Sequence, residues 1–333
     1  MENTPRSQCL TGSLLELKNK DKNMAQNFPL VSIVTPAFNQ AEYLSETIES
    51  VLAQDYPNIE YIVIDDGSTD ATPDILRRYG GRVRWERHDN IGQARTLNKG
   101  WKISTGTILG YLSSDDVLYP GAVRKLVDIL ESDSSIVCAF PDANLIDYRS
   151  RIVKKNVCRP FDLGELVVRQ ECYIGPGALF RRDAFDCIGG WKAELKLAPD
   201  REFWIRLAAH GRFELWREVL AGYRMHPDSI SYKDVSENVG REYLWVLDQY
   251  FIAATVPTEI TTRKSEAYGY AQLVLARNCF RAGRLKRGWE LYKEACRLHP
   301  SLGAASIKVK ILRNVVSKPA RVALSAFRSF IRG

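Results

Sequence analysis

The sequence predicts an α/β protein: a doubly wound, mixed but mainly parallel sheet flanked by helices, with a helical extension at the C-terminal end. Three observations carry that expectation. From Leu30 onward strand-like apolar runs alternate with single helix-like segments, the pattern of successive βαβ units joined by right-handed crossovers. Several of those strands are near-continuously apolar, as strands covered on both faces are. Beyond about Ser236 the strand signals give way to helical periodicity.

Residues 1–28 are polar and aperiodic, with Met24 shortly before the first strand, and read as a disordered leader or an upstream start-site extension. The first strand is LVSIVTPAF, followed by a helix near Glu42 to Gln54. The second strand, IEYIVIDDGS, precedes a helix over Thr72 to Tyr79, for which Ser68, Thr69 and Asp70 are available caps and Pro73 suits the first turn. RVRWERH is the third strand, Gln93 to Ile103 the next helix, and LGYLSSDDVLY (Leu109 to Tyr119) the fourth strand. These elements make residues 29–135 one half of the domain. Residues 136–237 form a second, less regular half, with strands near Ile136 to Pro141, Ala178 to Phe180 and Leu220 to Met225, and helices near Arg182 to Ile188 and Asp200 to His210. Residues 238–333 form the extension. In it Leu285, Gly288, Trp289, Tyr292, Ala295 and Cys296 share one helical face. The stretch from Ala271 to Pro300 looks like one tetratricopeptide-style hairpin, too few units for a free solenoid, and so is expected to be a cap on the domain rather than a peptide-binding module.

Composition narrows the function classes. A chain of 333 residues, 45% hydrophobic and 26% charged, has material for one large or two smaller globular domains. The net charge of +7 arises from Lys308, Lys310, Arg313, Lys318, Arg321, Arg328 and Arg332, with no acid after Ser301, so a general nucleic-acid-binding surface is not expected. Seven cysteines, odd in number and without a CxxC pair, argue against a disulfide framework and a zinc knuckle. With no signal-peptide core or 18-residue apolar run, a cytoplasmic protein is expected. Apolar residues interleave with the cations over residues 304–333. This is the composition of an interfacial helix that would hold the protein at an anionic membrane surface, the alternative being a solvated helix packed on the cap.

The chemistry concentrates where predicted strands end. LGYLSSDDVLY delivers Asp115 and Asp116 to the carboxyl edge of the sheet, where open α/β sheets bind ligands. Adjacent carboxylates there suit a hard divalent cation, Mn2+ or Mg2+, whose coordination is completed by water and substrate phosphates. Pro36 and Asn39 break the first strand where a nucleotide base would lie. In VIDDGSTD the chain turns through Gly67 beside Asp66 and Ser68; a carboxylate there can accept a uracil imide N–H while the turn's backbone N–H groups donate. GQARTLNKG starts a helix that brings Arg95 and Asn98 to the same edge, Arg95 to neutralise a diphosphate.

With these motifs in view, the chain resembles the family 2 glycosyltransferases, which have the GT-A fold and transfer a sugar from a nucleotide diphosphate with inversion. The resemblance runs from about Pro29 to Ser231 through TPAFN, VIDDGSTD, GQARTLNKG, YLSSDD, the GGW at Gly189 to Trp191, APDREFWIRLAAHG and YRMHPDSIS. It implies that Asp66 contacts the base and Asp115 the ribose side of the donor. Asp116 matches the metal ligand of the family's DxD motif, here Ser114-Asp115-Asp116, with Ser where many relatives have an acid. Asp200 matches the general base, in Pro199-Asp200 where many relatives have Glu-Asp; as a residue, Asp200 is also a candidate cap for the helix that follows. His226 matches a histidine that lies near the diphosphate and can ligate the metal; otherwise it is a loop histidine bonded to Ser229 or backbone.

The expected protein is therefore a metal-dependent inverting glycosyltransferase. Its donor would be a nucleotide sugar, a UDP-sugar first, and its acceptor a glycan or a lipid-linked molecule of surface polysaccharide or glycolipid synthesis. A nucleotidyltransferase would need a Gly-rich triphosphate loop, which Pro36 to Gln40 is not. A non-catalytic sugar-nucleotide or peptide-binding protein on the same fold is the rival from another class.

Overall fold

The computed structural model describes residues 28–226, 229, 236–253, 256–305 and 307–309. The expected leader and nearly all of the basic tail lie outside the described residues. In the first half β1 (Val31–Ala37), α1 (Leu44–Leu52), β2 (Ile59–Asp65), α2 (Thr72–Arg78), β3 (Arg84–Arg87), α3 (Gln93–Ile103) and β4 (Ile108–Tyr111) alternate as expected. There follow β5 (Val117–Leu118), α4 (Ala122–Ser132), β6 (Ile136–Ile146), β7 (Ile152–Lys154), α5 (Leu163–Val167), β8 (Leu179–Arg181), α6 (Arg182–Ile188), α7 (Pro199–Leu207) and β9 (Arg212–Arg224). The extension comprises α8 (Glu237–Gly240), α9 (Glu242–Ile252), α10 (Thr258–Thr261), α11 (Lys264–Arg281), α12 (Leu285–Leu298) and a 3-10 turn, Pro300–Gly303.

One sheet runs β3-β2-β1-β4-β8-β6-β9-β5, with β7 beside β6. The four strands of the first half are parallel. The short β8 lies antiparallel between β4 and β6, and β9 returns parallel to β6. Every residue of β1 is buried, as is β2 from Tyr61 to Asp65, which explains why these strands read as continuous apolar runs.

Three elements differ from the sequence-based expectation. The run LGYLSSDDVLY is two short strands, β4 and β5, with the acids in the turn between them, closed by the Asp116 N–H donating to the Ser113 carbonyl at 3.1 Å. Strand β9 starts at Arg212, eight residues before the expected Leu220; its polar, aromatic first part pairs with β6 through a register broken by bulges, which defeats a period-two reading. Helix α12 buries Gly288, Leu291, Tyr292 and Ala295 but leaves Leu285 and Trp289 near half exposed, because the face presented to α11 is narrower than the apolar stripe.

The two halves are joined by aromatic packing. Trp101 of α3 is fully buried and stacks on Phe203 of α7 at 5.8 Å, meeting Phe180, Phe185 and Trp191 edge-on at 5.3–6.1 Å. Such pairs contribute about 0.5–1.5 kcal/mol each beyond burial, enough to tie the first half's helix to the loop that precedes α7. The extension shares this core: Val246, Leu247, Ile260, Ala267 and Ala271 belong to it, while the far half of α11 and α12 build a second, smaller core around Phe280 and Tyr292.

Candidate active site

A cleft of about 580 Å³ opens at the carboxyl ends of β1, β2 and β4, and Pro36, Asp66, Ser114, Asp115, Asp116 and Asp200 all line it. Acids from three distant stretches of sequence thus converge, as the ligand-binding edge of an α/β sheet requires. Among the described residues no three His, Cys, Asp or Glu side chains form a ready-made metal centre. A cation at this site would need one or two carboxylates plus substrate phosphates, and the cleft supplies the carboxylates.

Asp66 follows the last residue of β2 and is 3% exposed. Its carboxylate accepts N–H bonds from Ile91 at 2.8 Å and Gly92 at 3.0 Å, so it secures the loop leading into α3 as well as facing the cleft. The turn after it needs Gly67, whose φ is +76° and where a Cβ would come within 2.7 Å of the Asn90 nitrogen. Asn39 and Ser68 do not line the cleft. They stitch its rim: the Asn39 N–H donates to Ser68 Oγ at 2.9 Å, and Asn39 Oδ1 accepts from the Thr69 N–H at 2.8 Å, while Asn39 itself takes a left-handed φ of 53°.

Arg95 and Asn98 likewise lie outside the cleft lining. Arg95 is exposed, with a long 3.4 Å bond from its guanidinium to the Ile91 carbonyl. Asn98 has its amide committed to Trp191, donating to the carbonyl at 2.7 Å and accepting from the N–H at 2.8 Å. The helix start does reach the site, but through Gly92 and Gln93, because residues 95 and 98 fall on other faces of α3.

Asp115 and Asp116 occupy the β4–β5 turn. Asp116 is 3% exposed, and its Oδ1 accepts the Arg224 N–H at 2.8 Å. Burial, with the charge of Asp115 adding to it, pushes the Asp116 carboxyl well above the usual carboxylate range, against the pull of Arg224. Asp115 Oδ2 lies 2.9 Å from His226 Nε2. His226 is buried against the Tyr43 ring, its Nδ1 has no partner among the described residues, and it is not among the cleft-lining residues. As placed, the imidazole Nε2 is engaged with Asp115 and orients that carboxylate.

Arg224 is the residue that sequence reasoning passed over, although it stands in the quoted YRMH run. It is 1% exposed, and its guanidinium donates to the carbonyls of Asp115 (2.6 Å) and Asp147 (3.1 Å), to Ser150 Oγ (2.9 Å) and to Glu46 Oε2 (2.8 Å). It also sits 4.9 Å from the Tyr43 ring centroid. The last residue of β9 thereby holds the acidic turn from behind.

Asp200 is in the first turn of α7, after Pro199 at the helix start, with Ala198 at the N-cap position. Burial raises its carboxyl above the usual range, while the adjacent Arg201 charge and the local backbone N–H groups oppose the rise. Its charge is felt across the cleft: Cys172 is pushed up to about 11 by burial and then by Asp200, and half-buried Tyr111 is pushed up by the same two causes. Tyr111 and Trp191 line the cleft beside these acids, and Phe38 and Tyr223 stand exposed at its mouth. Aromatic residues in those places offer flat apolar surface for a base or a sugar ring.

A family model described as "Glycosyl transferase family 2" matches residues 32–189. An uncharacterized glycosyltransferase of Rickettsia prowazekii is 31% identical over 231 residues, covering 67% of this chain and 73% of the relative. Chondroitin synthase of Escherichia coli is 28% identical over 209 residues, 62% of this chain, but that alignment spans only 30% of the synthase; for an uncharacterized glycosyltransferase of Rickettsia felis, 30% identical, the figure is 40%. Among solved structures, S. aureus TarS 1-349 in complex with UDP-GlcNAc matches with a TM-score of 0.59 at 16% identity, covering 82% of this chain and 92% of that one. The mannosyltransferase PcManGT of Pyrobaculum calidifontis, in complex with GDP-Man and Mn2+, matches with a TM-score of 0.56 at 17% identity over 92% of this chain and 94% of that one. The sheet order and flanking helices are those of a GT-A fold. The chain is a glycosyltransferase and belongs to glycosyl transferase family 2.

Proposed function

We propose that the protein is a divalent-cation-dependent inverting transferase that takes a sugar from a nucleotide diphosphate sugar, a UDP-sugar first, and that Asp200 is its general base. One observation carries this reading: Asp66, the Asp115–Asp116 pair and Asp200 line a single cleft large enough for a donor. In the proposed reaction Asp200 takes the proton of an acceptor hydroxyl as its oxygen bonds to the anomeric carbon, and the bond from that carbon to the diphosphate breaks on the opposite side. A bound Mn2+ or Mg2+ would neutralise the charge gathering on the departing diphosphate. Asp116 would hold that ion together with donor phosphate oxygens, with His226 keeping Asp115 aimed at the donor's ribose side. Asp66 and Pro36 would border the base.

The raised carboxyl of Asp200 supports the assignment, since a base nearer neutrality accepts a proton more effectively than an ordinary aspartate. The solved neighbours with UDP-GlcNAc and with GDP-Man and Mn2+ support a nucleotide-sugar donor and a cation. A glycan or lipid-linked acceptor fits the chondroitin synthase likeness and the basic tail, through which residues 304–333 would contact an anionic membrane. Among the described residues no helix is long and apolar enough to cross a membrane.

A panel of UDP- and GDP-sugars with Mn2+ or Mg2+, read as nucleoside diphosphate release, tests the reading. Turnover should require the ion, and Asp116→Ala should lose ion-dependent UDP binding. Full turnover in a chelator would refute the cation's part. Liposome binding that survives deletion of residues 304–333 would refute the membrane contact.

A further inference from the structure

The segment that carries Asp200 is held by the C-terminal extension. Residues 196–198 form an irregular link between the Trp191 loop and α7, and Lys196, Leu197, Pro199 and Asp200 line the cleft. Behind this link three successive backbone N–H groups point to one acceptor, the carboxylate of Glu242 in the first turn of α9. Glu242 Oε2 accepts from Lys196 at 2.9 Å, Leu197 at 2.7 Å and Ala198 at 3.2 Å, and Oε1 accepts from Lys196 at 2.9 Å. Three consecutive donors converging on one anion resemble the concave backbone arrangement in which an anion is held by successive N–H groups. The next residue of α9 grips the other flank: the Tyr243 ring lies 5.2 Å from the Arg201 guanidinium, which itself donates to the carbonyls of Leu166 (2.9 Å) and Gln170 (2.8 Å). Asp200 is thus bracketed at 196–198 and at 201 by two neighbouring side chains of the extension, neither of which lines the cleft.

We propose that Glu242 is a positioning residue for transfer: its carboxylate sets the geometry of the 196–198 link and through it the reach of Asp200, making the extension a working part of the catalytic unit. This rests on the reading of Asp200 as the base. Without Glu242 the three N–H groups would be claimed by water in more than one arrangement, and the helix start would sample positions from which Asp200 misses the hydroxyl. Displacement of about 1 Å at a reacting group costs as much as roughly 100-fold in rate.

The experiment uses the full chain and donor hydrolysis, which needs no acceptor because water takes its place. Glu242→Ala is expected to lower kcat by roughly 10–100-fold while leaving UDP affinity in Mn2+ unchanged, since the nucleotide side of the cleft is built on β1, β2 and β4. Glu242→Gln, the same shape without the charge, should fall between it and the parent, and it carries the test if the alanine variant does not fold. Unchanged kcat in the Ala or Gln variant, beside an inactive Asp200→Asn, overturns the proposal and leaves the base assignment standing. Parallel loss of UDP binding and kcat also overturns it, because that is general loosening rather than positioning. Normal turnover in Asp200→Asn removes the base assignment and, with it, the role given to Glu242.

Discussion

Replacing Arg224 by Met keeps an unbranched apolar stem in the core and deletes the guanidinium that braces the acidic turn. Two carbonyls, of Asp115 and Asp147, lose a charged donor, each such bond contributing about 1.5–3 kcal/mol. The pair with Glu46 counts for less than about 1 kcal/mol, since that carboxylate side chain is 46% exposed, and the contact with the Tyr43 ring adds about as much. Met recovers part of the packing, so the net loss is about 3–5 kcal/mol, in line with truncating one member of a buried ionic network. At the low end of the usual conversion, suited to a chain of this size, thermal unfolding should move down by about 6–10 °C. Because the Arg224 Nε–H holds the Asp115 carbonyl, the same change frees the turn that carries both acids. The Mn2+ concentration that half-saturates UDP binding should then rise roughly 10–100-fold, as when a residue behind a metal ligand is removed. Differential scanning fluorimetry and a Mn2+ titration of UDP binding measure the two effects. An R224M protein that melts within about 2 °C of the parent, with an unaltered Mn2+ midpoint, would refute the bracing argument.

Two other substitutions probe separate joints of the site. Asp200→Asn should lower turnover by about 100-fold or more while keeping UDP affinity. Since the folded-state pKa of Asp200 is raised, its contribution to stability is present below the unfolded value of about 3.9 and is lost as pH rises through the folded one. The Asn variant should therefore melt higher than the parent at neutral pH, with the advantage vanishing near pH 4, and it should lack the acid limb of the parent's pH–rate profile; a lower melting point at pH 7 would contradict the sign. Gly190→Ala would set a Cβ 2.1 Å from Asn98 Oδ1, breaking both bonds between Asn98 and Trp191. The loss should be about 2–3 kcal/mol, read as a lower melting temperature and a red-shifted tryptophan emission. An unshifted spectrum and melting point would show that the Asn98 brace carries no strain.

What the amino-acid order determined alone is what depends on local pattern. The βαβ alternation, the buried strands β1 and β2, and the stops of the second and fourth predicted strands at acids follow from periodicity and turn chemistry within a few residues. Those stops placed Asp66, Asp115 and Asp116 at one sheet edge, and family likeness added Asp200; the cleft holds all four. Tertiary structure alone decided which side chains face the cleft and which hold its walls. Asn39, Ser68 and Asn98 share motifs with cleft residues, yet their polar atoms are consumed by Thr69, by each other and by Trp191, pairings set by how neighbouring loops close. Arg224 reaches Asp115 across 109 residues of sequence and Glu242 reaches Leu197 across 45, and no periodicity records such distances. A hydrogen bond between remote segments depends on where the packed sheet and helices bring two backbones together, so its partners become legible only once the core has fixed that approach.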